Sequence, residues 1–214
     1  MTMTDKGTQG VTFQGAARPL LAGLLAIQAF LGYEWFMSGL SKLLSPDWVS
    51  GLGDNLTDTA KGLSGPYDSF LTGLVIPNAQ LFAVLVMVGE LAIGALLVAV
   101  AVLWWARWDR LGASRQSLLL AIVIGAGLLA IFLNVNFHLA NNGGHPWLIS
   151  GDPFDEGVDL DSVMPVIQLG ISLVALRFLR EVRAASHRVG ELAAGGTAPS
   201  RSVQGGPIAG AHTH

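Results

Sequence analysis

AQLFAVLVMVGELAIGALLVAVAVLWWA, residues 79 to 106, carries a single charged side chain, Glu90, along its whole length. Crossing the hydrocarbon core of a bilayer takes about 20 predominantly apolar residues, and this run exceeds that. It therefore predicts a spanning helix with a carboxylate inside it. Three further windows, 19–40, 116–139 and 162–180, have the same character. The fold class that follows is an all-α integral membrane protein built as a four-helix transmembrane bundle.

Composition agrees, with 51% hydrophobic against 13% charged residues and a mean hydropathy of +0.53, far from the balance of an average soluble domain. The net charge of -3, with no clustered basic patch, argues against a nucleic-acid partner. The lipid bilayer is the expected surrounding.

Arginines and lysines are distributed unevenly. Lys6 and Arg18 precede helix 1, Arg107, Arg110 and Arg115 occupy the second loop, and Arg177, Arg180, Arg183 and Arg188 follow or close helix 4. The other two loops hold only Lys42 and Lys61 as cations and are rich in aspartate, as in GDPFDEGVDLD. The positive-inside rule then places both termini in the cytoplasm of a multi-pass protein of the plasma membrane. Trp104, Trp105 and Trp108 are expected at the inner interface, and Trp48 and Trp147 at the outer one. Residues 1–17 read as a cytoplasmic segment, 18–182 as the membrane domain and 183–214 as a disordered cytoplasmic tail. No small-x-small site follows the first apolar run before Lys42, so helix 1 reads as a retained anchor.

Between helices 1 and 2, SPDWVSGLGDNLTDTAKGL has Trp48, Leu52, Leu56, Ala60 and Leu63 at helical spacing. An interfacial amphipathic helix is expected there, capped by Ser45 with Pro46 in its first turn and ended by Gly65-Pro66. It is placed to act as a lid over the outer mouth, or simply to pack on the membrane surface.

Intramembrane carboxylates are costly, so Glu34 and Glu90 should face inward. Ser38 and Gly94 follow them at i+4 and let another helix approach. Near the outer end of helix 3, Asn134, His138 and Asn141 share one face with Gly127, while Asn136 points elsewhere. On helix 4, Met164, Gln168, Ser172 and Ala175 form the matching stripe. Glu34, Glu90, Asn134, His138 and Gln168 are therefore expected to converge in the outer half of the bundle. Glu34, Glu90 and His138 are the candidate catalytic groups, able to hold or pass protons. Lys42, Asn134, Asn141 and Gln168 are candidate substrate-binding groups, with Lys42 placed to attract a small anion. The same side chains can also serve as hydrogen-bonding glue between helices.

There is no cysteine, which excludes a disulfide, a thiolate metal site and a cysteine-ligated iron-sulfur cluster in this chain. Within the spans His138 is the sole histidine, so neither haem nor any other bound metal is expected. Asparagine and histidine donors can polarise a quinone carbonyl, and an apolar cavity between helices can accommodate its ring. A quinone or another lipophilic small molecule is thus the expected partner.

Several stretches carry a family resemblance: GYEWFMSGLSKL at 32–43, Gly89-Glu90 followed by IGALL, and the asparagine-rich NVNFHLANN at 134–142. Together they resemble the DoxX and DoxD-like membrane proteins, which include the large subunit of thiosulfate:quinone oxidoreductase, over about residues 17–182. That family's pattern of a small residue, glycine and then lysine at the end of helix 1 is met by Ser38, Gly39 and Lys42. The resemblance implies transfer of electrons from thiosulfate or another small reductant to quinone. Two other classes stay open: a noncatalytic anchor for a soluble or membrane redox partner, and a small-molecule or proton carrier.

Overall fold

The computed structural model describes residues 17–140 and 160–195, and every regular element among them is helical. Helix α1 is Ala17–Leu44 and α2 is Trp48–Ala60. Helix α3, Pro66–Phe70, continues through a π turn at Leu71–Val75 and a 3-10 turn at Ile76–Asn78 into α4, Ala79–Arg107. A 3-10 turn at Trp108–Arg110 leads to α5, Ala113–Ala140, and α6 is Leu160–Gly195. Three stretches among the described residues are long and apolar enough to cross a membrane: Pro66–Arg110, Ala113–Ala140 and Val163–Val189. Helix α1, 28 residues long, carries Gln28, Tyr33, Glu34, Ser38 and Lys42 among its apolar side chains.

Large apolar side chains such as Phe30, Leu81, Leu85, Leu118, Phe132 and Leu173 are exposed around the outside. Helices that are hydrophobic all round suit a lipid surrounding. The interior is made by Leu31 and Trp35 of α1, Ile93 and Leu97 of α4, Leu120, Val123 and Ala130 of α5, and Met164, Ala175, Leu179 and Val182 of α6.

Packing is uneven. Helix α1 lies closely on α4 and α5 on α6, whereas α4 meets α5 more loosely and α1 barely meets α6. Small residues set the two close contacts. A Cβ built on Gly94 would lie 2.6 Å from Phe36 Cα, and one on Gly39 would lie 2.7 Å from the Leu91 amide nitrogen, so the α1 and α4 backbones nearly touch. Across the other pair, Gly127 of α5 makes room for Ser172 of α6. The stripe Met164, Gln168, Ser172, Ala175 is buried as its spacing predicts.

Several sequence expectations are corrected. Helix α2 starts at Trp48 with Asp47 as its N-cap residue, and neither Ser45 nor Pro46 takes the predicted place. Helix α2 ends at Ala60, before Leu63 and Gly65-Pro66, which had been expected to close it; Gly65, with a φ of 85° that suits a residue without a Cβ, instead precedes α3, which Pro66 opens. Residues 183–195, assigned to a disordered tail, continue α6 beyond buried Val182, whose carbonyl accepts a hydrogen bond from Ser186 Oγ at 2.9 Å. Trp104 and Trp108 are buried and stacked at 4.1 Å between ring centroids, so of the three expected inner-belt rings Trp105 alone faces outward. The segments 1–16, 141–159 and 196–214, with Asn141, His145, Trp147 and the rest of the tail, lie outside the described residues.

Candidate functional site

Lys42 sits on the α1 face that carries Leu31, Trp35 and Gly39, so its side chain reaches toward α4. Its Nζ lies 2.9 Å from Glu90 Oε1, 2.8 Å from Oε2 and 2.9 Å from Ser38 Oγ. Glu90 is fully buried, while the Lys42 side chain keeps 17% of its surface exposed. A buried carboxylate needs a counter-charge and hydrogen-bond donors, and the ammonium supplies both. The pair thus joins α1 to α4 with its anion sealed inside and its cation turned outward.

What Lys42 faces is a cavity of about 320 Å³. Trp48, Leu52, Asn55 and Leu56 of α2 form one side, and Tyr67 and Phe70 of α3 with Leu71 and Val75 of the π turn form another. Phe82 and Val86 of α4 and Phe132, Leu133, Asn136, Phe137 and Ala140 of α5 complete it. Six of these residues are aromatic, and the volume falls within the range of about 300 to 1,000 Å³ typical of small-molecule sites. The Lys42 ammonium lies 5.1 Å from the Trp48 ring centroid and 5.8 Å from that of Phe137, both within cation–π range. Two hydrogen bonds hold the walls: Trp48 Nε1 donates to the Ala83 carbonyl at 3.0 Å, and Tyr67 Oη donates to the Asn136 carbonyl at 2.9 Å. The amphipathic α2 is thereby fixed as a cavity wall.

Two groupings of the expected cluster are seen among the described residues. Glu90 and Lys42 belong to the α1–α4 contact. Gln168 and Ser172 meet Gly127 across α5 and α6, and Asn134 and His138 are buried on the same α5 stripe as Gly127. Asn134 Nδ2, both amide atoms of Gln168 and Ser172 Oγ lack hydrogen-bond partners among the described residues. Glu34 is half-buried and lines no part of the cavity, since the buried stripe of α1 runs through Leu31, Trp35 and Lys42 and leaves it on the flank. Lys42, expected to draw an anion, is already neutralised by Glu90.

Sequence reasoning missed the aromatic walls. Asn136 was read as pointing away from the Asn134 stripe, and the side it points to is the cavity. The usable signal was the density of aromatic residues near Lys42, at the α5 end and in the stretch after Gly65.

No family model matches this chain, and neither does a curated protein or a solved structure.

Proposed function

We propose that this chain is a DoxX/DoxD-like membrane oxidoreductase subunit that binds the ring of a quinone in the cavity beside Lys42. The observation that carries the reading is the cavity itself: aromatic walls against which a planar ring can stack, and one ammonium able to donate to a carbonyl oxygen. Reduction of the quinone to quinol takes two electrons and two protons. Thiosulfate, oxidised to tetrathionate, or another small reductant supplies the electrons. The Lys42–Glu90 pair, rather than Glu34, is the acidic group nearest the ring. The chain spans the plasma membrane as a four-helix bundle with both termini cytoplasmic, a topology supported by the arginines at 107, 110, 115, 177, 180, 183 and 188.

Substituting Val86→Phe would put a ring into the cavity without touching the ion pair. Binding of a short-chain ubiquinone analogue, followed by quenching of tryptophan fluorescence, should weaken at least about tenfold, a loss of about 1.4 kcal/mol. Thiosulfate-dependent quinone reduction in membranes should fall in step. Quinone binding unaffected by Val86→Phe would remove the site from this cavity. Binding without any thiosulfate-dependent reduction would favour the second reading, a noncatalytic subunit whose arginine-rich end docks a redox partner.

A further inference from the structure

Among the described residues lining the cavity, Lys42 is the one side chain of formal charge, and its charge is spent on a carboxylate that does not reach the cavity surface. We propose that Glu90 makes this a site for neutral head groups, so that the protein accepts uncharged lipophilic carbonyl compounds and rejects their anions. The proposal rests on the quinone-binding reading and deepens it by fixing the charge class of the ligand.

With Lys42 and Glu90 both ionised, the local formal charge is zero. An anionic ligand beside Lys42 would leave one uncompensated negative charge among aromatic and aliphatic walls, where charge is poorly solvated. A cationic ligand would face the ammonium directly. A neutral carbonyl meets neither cost and can still accept an N–H from Lys42. The lysine is therefore a donor of hydrogen bonds to the ligand, and the glutamate behind it determines which ligands the donor tolerates. Glu90 acts through Lys42, as a positioning and selectivity residue.

The matching probe pair is a 2-hydroxy-3-alkyl-1,4-naphthoquinone, an anion at pH 7.5, and its neutral 2-methyl ether. Binding of each to the full-length protein in detergent is followed by quenching of tryptophan fluorescence. Wild type should bind the ether at least about tenfold more tightly than the anion. Glu90→Gln keeps the side chain's shape and its acceptor for Lys42 but leaves the ammonium unneutralised, so the anion should gain at least about tenfold relative to the ether. The double variant Lys42→Gln with Glu90→Gln restores zero charge and should restore the preference for the ether. Equal binding of both probes by wild type overturns the proposal without any variant, and so does a folded Glu90→Gln protein with the wild-type ratio. If neither probe binds, the quinone reading falls as well; if both bind equally, the quinone reading stands and charge selection alone falls.

Discussion

Gly94→Leu should lower the stability of the folded chain by about 3 kcal/mol, the upper part of the usual range for overpacking. No rotamer can escape the clash, because even the first side-chain atom would fall 2.6 Å from the Phe36 backbone. Relief requires α1 and α4 to separate, and separation pulls Lys42 away from Glu90. Gly125→Leu is the matched control, an identical change at a helical glycine with nothing within 4 Å of its Cβ position. Thermal unfolding in detergent should show a large loss for Gly94→Leu and almost none for Gly125→Leu. Equal melting temperatures would mean that the close α1–α4 approach does not govern stability.

Loss of Lys42 should be comparably severe. Lys42→Met keeps the length of the stem but deprives the fully buried Glu90 of its cation, and breaking a buried pair from one side costs about 3 to 5 kcal/mol. Replacing both partners, as Lys42→Met with Glu90→Leu, removes the uncompensated charge and should recover most of that loss. The double-mutant cycle measured by thermal unfolding should therefore give a coupling of about 2 kcal/mol or more. Additive losses would mean that the two groups stabilise the bundle independently. Recovery of stability without recovery of the proposed quinone binding would separate the pair's part in folding from its part in the proposed site.

Apolar runs made the long helices legible, and small or polar residues at helical spacing made the facing stripes of α5 and α6 legible. The two glutamates show where this kind of reading stops. Glu34 and Glu90 both lie inside long apolar windows of the sequence, yet one is half-buried and the other fully sealed. What separates them is the position of the α1 stripe, set by Leu31, Trp35, Gly39 and Lys42, and only the partner helix makes that stripe evident. The cavity was harder still, because its walls come from segments far apart in the chain, as in the Tyr67 to Asn136 hydrogen bond across 69 residues. Each aromatic residue taken alone reads as an ordinary lipid-facing or core side chain. The end of α6 went unread because alanine, glutamate and arginine beyond residue 182 suit an exposed helix as well as a polar tail.

The pairing of α1 with α4 also orders events during synthesis. Lys42 leaves the ribosome 48 residues ahead of Glu90, so the first helix enters its surroundings with a lysine that has no counter-ion. Until Glu90 is made, α1 has neither the ion pair nor the glycine seam that completes its buried face. Helix α1 is thus held by a segment made after it, and its packing is expected to wait for the synthesis of α4.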